Sequence, residues 1–524
     1  MLTIILCWFF LLISFIFIGK LVIKGAEWYE YFWLGFAITT ASLQIWSIFS
    51  PVNILVLTLF FIVSILSFLL YKNQIRIRLT SRFLLIALVL IVLLAYFASL
   101  PVGWDDTLLY HLNAVKWAKT FPVVPGLGNL HSRLGFNSSL FLIAAMFDNL
   151  LIKDRSSHLV LFTMSSVLVL QILWILTGAY NKKIKLFCLF LVPLLFSEIA
   201  HKAVTSSLSP DFAGLIIVIV ISIQLLIKRN PYITLILSLT LITIKPTTII
   251  FSLLVIFYLT LKSLTYTNLI RQKYFYILSF LTLFLLLPFI IRNYYLTGWL
   301  LYPLPFFHIS TEWTVPSEQV RNLYQVISTW ARVPGSEWSK FVDAPFLVWF
   351  PVWFDQNKYK TETILFGFSI IILMSNYLLD KYKKHGNQDK TFLYLIIISF
   401  VSIFYIFISA PDYRYFSVYI WLLFSAVLTM FLSRFILQKN SLKYLMFAIL
   451  IFSVFISWPF KLKGKIYLRS IRWEKPWPTV EVNGILRPTD EDLCGNSELP
   501  CSPEENKIRF RQKDDLSKGF APIY

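Results

Sequence analysis

Charge is what this sequence has least of. Only 14% of its 524 residues are Asp, Glu, Lys or Arg, while 58% are hydrophobic and 18% aromatic. A water-soluble chain of this length carries closer to a quarter of its residues charged, so a soluble fold is excluded. Acidic residues are the scarcer sign, 27 against 47 basic, for a net charge of +20. The basic surplus stands in short clusters between apolar runs, as cytoplasmic linkers of a multi-span membrane protein do. It is not interleaved with a soluble recognition element, so no nucleic-acid partner is expected. Cysteines number four, too few for a disulfide scaffold. Cys7 and Cys188 lie in apolar runs and read as buried packing. Cys494 and Cys501 flank Gly-Asn-Ser-Glu-Leu-Pro in a polar tail, and a disulfide there implies an oxidising, extracytoplasmic compartment. No pair of His or Cys has metal-ligand spacing, which argues against zinc. A basic leader and a small-residue cleavage site are also missing from MLTIILCWFFLLISFIFIGKLVIK, which is expected to be a retained helix. The halves share no repeat, so an inverted-repeat transporter gains no support.

What is present is a long series of apolar runs. They predict an all-α polytopic integral membrane protein of about fourteen transmembrane helices. The runs fall near 2–22, 31–49, 52–70, 83–100, 158–179, 186–199, 210–227, 231–245, 247–262, 274–291, 363–379, 392–409, 415–433 and 443–459. Lys20 and Lys24, YKNQIRIRLTSR, NKKIK, Lys228 with Arg229, and DKYKKHGNQDK are assigned to the cytoplasm. That orientation puts two long polar loops, 101–136 and 292–360, and the tail 461–524 outside. Lys461, Lys463, Lys465, Arg469 and Arg472 run against the rule in that tail, where contact with phosphate head groups is the alternative reading. The run 137–151 is too short to cross and is expected to be a re-entrant helix dipping into the outer leaflet.

The loop PVGWDDTLLYHLNAVKWAKTFPVVPGLGNLHSRLGF is the most informative stretch. Leu108, Leu112 and Val115 share a helical stripe, which predicts an amphipathic helix at the membrane surface, then a Pro/Gly turn. Asp105 and Asp106 can serve as a general base or hold a divalent cation, Mg or Mn, or one of them can simply cap the helix. Trp104, Tyr110, His111 and Lys116 stand close by; aromatic rings pack on sugars and cations neutralise a leaving phosphate. His131 and Arg133 can add a second base and a phosphate clamp, or belong to an ordinary solvated loop. Asp211 in SPDFAG, Lys245 in ITIKPTT, Arg292 with Asn293, and Arg414 with Asp412 in APDYRYF all sit at span ends assigned to the outer side. Ionisable groups at such depths usually face a partner or a cavity, although Lys245 can also snorkel. Trp313, Trp330, Trp338, Trp349 and Trp353 of the second loop read either as an acceptor cleft or as an interfacial aromatic belt.

In their order along the chain, GWDD, TLLYHLNAVKW, SPDFAG, ITIKPTT, RNYYLTGWLLYP and DYRYF make the sequence resemble the C-type superfamily of polytopic glycosyltransferases, GT-C. The chain also looks like an uncharacterised bacterial membrane-protein family with a PGLGNLHSRLGFNSS-like loop. The GT-C resemblance spans about residues 83–460, which it casts as a GT-C-like core, after extra helices in 1–82 and before the extracytoplasmic tail 461–524. It implies transfer of a sugar from a polyprenyl-phosphate donor to a glycan, lipid or protein acceptor, at the outside face of a bacterial cytoplasmic membrane. Asp105 or Asp106 would take the acceptor proton, while Lys245, Arg292 or Arg414 would stabilise the departing lipid phosphate. Two features depart from that superfamily: three spans precede the acidic loop, and no large external domain follows the last span. A surface-polysaccharide polymerase or ligase, a transporter or flippase, and a non-catalytic assembly protein are the competing readings.

Overall fold

A computed structural model describes residues 1–74, 80–102, 104–151, 154–197, 207–265, 267–335, 338–383, 390–434, 478–489 and 493–523. Eleven helices among the described residues are long and apolar enough to cross a bilayer. The chain is therefore an all-α multi-pass membrane protein with very little sheet. The first four of these helices are α1 (Leu2–Lys20), α2 (Trp28–Phe49), α3 (Ile54–Tyr71) and α4 (Ser81–Ala98). A surface segment follows, with α5 (Leu112–Thr120) and α6 (Leu127–Leu130). Next come α7 (Ser139–Phe147), α8 (Val160–Thr177), α9 (Lys182–Leu191), α10 (Pro210–Ile227), α11 (Pro231–Ile244), α12 (Ile249–Ser263) and α13 (Asn268–Thr297). The series ends with α14 (Ser317–Arg332), α15 (Phe346–Asn357), α16 (Thr361–Lys383), α17 (Lys390–Ser409) and α18 (Tyr413–Leu432).

One expected span is shorter than a bilayer crossing: of 231–245, residues 231–244 form the 14-residue α11. Of the run 186–199, the described residues 186–197 contain the end of α9 followed by a 3₁₀ turn, Val192–Phe196, and 198–199 lie outside the described residues. The run 443–459 and the basic cluster from Lys461 to Arg472 lie outside the described residues. The nine residues of α7 are all buried, and at 1.5 Å per residue the helix reaches only about 14 Å, half the hydrocarbon core. Ser138 Oγ donates to Ile244 O at 2.8 Å and Ser139 shares a hydrogen bond with Thr243, so α7 is a half-length helix held inside protein. Non-spanning backbone at membrane depth is tolerated when protein surrounds it.

Helix burial is graded across the bundle. α10 is enclosed on nearly every side, whereas α3, α4 and most of α13 turn Leu, Ile and Phe outward as lipid-facing helices would. The tightest crossing joins α1 to α2. A Cβ on Gly19 would lie 1.9 Å from Tyr31 O, and one on Gly35 would lie 2.0 Å from Phe15 O. The two backbones thus touch directly, the use of small residues that dominates helix association in lipid.

The C-terminal tail forms two antiparallel hairpins, β1 (Thr479–Val482) with β2 (Ile485–Pro488), and β3 (Ile508–Phe510) with β4 (Phe520–Pro522). Asn483-Gly484 supplies the first turn; both residues have positive φ, as a two-residue type I′ hairpin requires. The tail lies on the segment 101–136. Phe520 N donates to Pro125 O at 3.0 Å, Gly495 N to Leu108 O at 2.8 Å, and Ser502 Oγ to Leu130 O at 2.7 Å. Cys494 and Cys501 are joined by a disulfide with Cα atoms 5.9 Å apart. Loop 101–136, the turn after α13 and the tail therefore share one end of the bundle, since Asn129 also bonds Trp313 O and Arg511 pairs with Glu312. At the opposite end Arg229 pairs with Glu27, and Tyr29 meets Tyr180. The basic linkers around Lys20, Lys182 and Lys228 lie on helices and turns of that end.

Candidate functional site

Asp106 is the hub of a charged cluster at the tail-covered end. It opens a five-residue π turn, Thr107–His111, that runs on into α5. Turns of this kind recur at functional sites, because the extra residue re-aims side chains. Its Oδ1 accepts from Arg133 Nη1 at 2.7 Å, and its Oδ2 lies 3.4 Å from Arg414 Nη1. Arg133 comes from the 3₁₀ turn Ser132–Gly135. Arg414 comes from the first turn of α18, where Asp412 caps the helix by accepting from Arg414 N and also binds Arg414 Nε at 2.9 Å. Tyr415 stands between two cations, with Lys245 Nζ 4.8 Å and the Arg414 guanidinium 5.4 Å from its ring centre. Lys245 in turn forms an ion pair with Asp211. Asp211 lies in the first turn of α10 and Lys245 caps the end of α11. Both placements favour the charge against the helix dipole, so the two helices position the pair.

Three cations and three carboxylates are thus interleaved beside two tyrosine rings, drawn from five separate places in the chain. Burial resists ionisation of Asp106, but His111 when protonated, and Arg133, Arg414 and Lys245 at all times, outweigh it and hold the carboxyl below its usual range. His111 is buried against Phe141, and burial pushes its pKa down to about 4 despite Asp106 and Asp211 nearby. It is neutral at pH 7. Its Nδ1 shares a hydrogen bond with Thr107 Oγ1 at 3.2 Å, and its Nε2 has no partner among the described residues. Tyr110 packs its ring 5.8 Å from the Arg133 guanidinium. Asp105 differs from its neighbour: it is exposed and forms no ion pair or hydrogen bond among the described residues. Trp104, half-buried, precedes it.

Other expected site residues lie elsewhere. Lys116 Nζ donates to the carbonyls of Asn496 and Ser497, both at 2.7 Å, and so fastens the tail to α5. His131 Nε2 lies 3.3 Å from Glu504 Oε1, and Glu504 also accepts from Ser132 N. Asn293 Nδ2 donates to Leu300 O and shapes the turn after α13. Arg292 is buried beneath α5, where it donates to Asn137 Oδ1 at 3.2 Å and Ser47 Oγ at 2.6 Å, with no carboxylate in ion-pair range among the described residues. It lines a cavity of about 30 Å³ with Trp117, Phe121 and Leu296, and none of the Asp106 group lines that cavity. Tyr415 and Glu504 are the partners that sequence reasoning missed.

No three His, Cys, Asp or Glu side chains among the described residues are grouped to hold a divalent cation, and both oxygens of Asp106 already face arginines. What the arrangement can do is bind a group bearing both hydroxyls and negative charge, beside an exposed carboxylate.

The sequence profile of a family described as Domain of unknown function (DUF8201) matches residues 1–421. No curated protein and no solved structure matches the chain. The matched stretch contains Asp105, Asp106, Arg133, Asp211, Lys245, Asp412 and Arg414, and stops before the tail.

Proposed function

The chain belongs to the DUF8201 family, and from that premise we propose that it is a GT-C-like membrane glycosyltransferase acting on a polyprenyl-phosphate-linked sugar. The observation that carries this reading is the convergence at Asp106. Loop 101–136, the turn at Arg133, the start of α10, the end of α11 and the start of α18 bring an exposed carboxylate, three cations and two tyrosines to one end of a membrane bundle.

Roles follow from the surroundings of each group. Asp105, exposed and unpaired, takes the proton of the acceptor hydroxyl as its oxygen attacks the sugar C1. The C1–O bond to the lipid phosphate breaks with its electron pair on the phosphate oxygen. Arg133, a third exposed, and Arg414 turn toward that developing charge. Asp106 positions both arginines, and Asp211 does the same for Lys245. The scheme uses only side chains of this chain, with both oxygens of Asp106 facing arginines.

The site end is assigned to the outside for two reasons. The Cys494–Cys501 disulfide lies at that end and suits an oxidising compartment. The basic linkers at the other end suit the cytoplasm. The membrane fitting this reading is a bacterial cytoplasmic membrane. Single Asp105→Asn and Asp106→Asn variants in proteoliposomes test the roles. Asp105→Asn should lower transfer by about 10² or more with folding intact, and full activity in both variants would sink the proposal.

A further inference from the structure

A second binding site lies in the tail. The two hairpins line an open pocket of about 400 Å³ whose charged lining residues are Arg487, Arg509 and Lys513, with the amides of Asn483 and Asn506 beside them. No carboxylate lines it. Its floor is apolar, made by Ile485, Ile508 and Phe510. This separation of sign is built by the chain. Val482 and Glu481 point to opposite faces of β1, as strand alternation requires, and only Val482 reaches the pocket. Glu504, behind Asn506, accepts from Asn506 Nδ2 at 2.9 Å and from Ser132 N and lies beside His131, while Asp515 accepts from Ser517 N, so neither carboxylate lines the pocket. Arg487 is held in place by donating to the carbonyls of Ser502, at 2.9 Å, and Glu504. The side chains of Arg509 and Lys513 form no ion pair or hydrogen bond among the described residues, and both residues are exposed.

We propose that this pocket binds a phosphorylated sugar or polyol. A fixed guanidinium and two unpaired cations meet the phosphate with charge-assisted hydrogen bonds. The two amides meet hydroxyls, and the apolar floor covers the carbon face of the ligand. The volume falls in the range of small-molecule sites. Such a ligand can be free in solution or be the head group of an anionic lipid; the chemistry is the same. Because Asn506 Nδ2 also donates to Asn129 O at 2.9 Å, an occupied pocket adds to the grip of the tail on loop 101–136. Nothing in this binding depends on transfer chemistry at Asp106.

The test uses the full chain in nanodiscs. In phosphatidylcholine discs, calorimetric titration with glycerol 3-phosphate is expected to show binding that weakens about tenfold or more in the Arg509→Ala/Lys513→Ala variant. Both side chains are exposed, so the variant should fold, and its unfolding midpoint is compared to check this. In parallel, hydrogen exchange of residues 508–513 is followed as phosphatidylglycerol replaces phosphatidylcholine. Slowed exchange with lipid alone identifies a head group; calorimetric binding alone identifies a soluble ligand; either result, lost in the double variant, supports the site. Absence of both signals, or equal signals in the variant, overturns it.

Discussion

Replacing Asp106 by Asn keeps the shape of the side chain and deletes the charge that holds two arginines together. Arg133 Nη1 and Arg414 Nη1 lie 2.7 and 3.4 Å from the two oxygens of that carboxylate. The guanidinium groups are then on the order of 6 Å apart, and at an effective dielectric near 20 their repulsion is about 3 kcal/mol. Partial exposure of Arg133 and Asp106 screens some of this, so the net loss of stability is expected to be about 2 kcal/mol. In a chain of this size that corresponds to a fall in thermal midpoint of about 2 °C. Adding Arg133→Gln to Asp106→Asn should recover part of the loss, with a coupling of about 1 to 2 kcal/mol, because it removes one of two stranded cations. The pH dependence has a definite sign. The carboxyl is held below its usual range, so its stabilisation is present above the unfolded value near 4 and disappears as pH falls through the lower folded value. Wild type and Asp106→Asn should therefore differ at pH 7 and converge under acid. The measurement is thermal unfolding of the full chain in detergent by circular dichroism. Equal midpoints at pH 7, or strict additivity in the double variant, would refute the hub role of Asp106.

Gly35→Ala and Gly19→Ala should each force α1 and α2 apart at a backbone contact, at a cost of about 1 to 3 kcal/mol or more; midpoints unchanged in both would contradict the direct crossing. Burial keeps the His131 imidazole neutral down to about 4, so once the tail undocks, His131 on the loop takes up a proton more readily and docking should weaken as pH falls from 6.5, by at most about 3 kcal/mol. Limited proteolysis of the tail should be faster at pH 5 than at pH 7, and equal rates would count against the His131–Glu504 clasp. Removing the disulfide with Cys494→Ser and Cys501→Ser should cost about 2 kcal/mol and loosen the carbonyls that hold Lys116. Unaltered hydrogen exchange around Asn496 and Ser497 would show that the loop needs no clip.

Span positions were legible because apolar length is a direct physical requirement of a bilayer: the run 210–227 is α10 to the residue. Helix ends were less so. The run 274–291 lies within α13, which extends to Asn268 and Thr297 because polar residues at the interface continue the helix. That extra length carries Arg292 inward to Ser47 and Asn137, away from Asp106, although loop topology alone puts both at the same end. Asp211, Lys245 and Arg414 could be singled out because charges at span ends must face partners. Which partner each takes was not legible, since Asp106–Arg414 and Ser132–Glu504 join residues hundreds of positions apart. Lys116 illustrates the same limit: its place in an aromatic, histidine-bearing helix suggested phosphate, and the tail carbonyls claim it instead.

The central claim is sugar transfer at the Asp106 cluster. The direct measurement incubates the purified full chain in proteoliposomes with a panel of polyprenyl-phosphate sugars and follows release of lipid phosphate. At least one donor should turn over in wild type, with release abolished by Asp105→Asn and strongly reduced by Arg414→Gln. No release from any donor, or release unaffected by both substitutions, would contradict it.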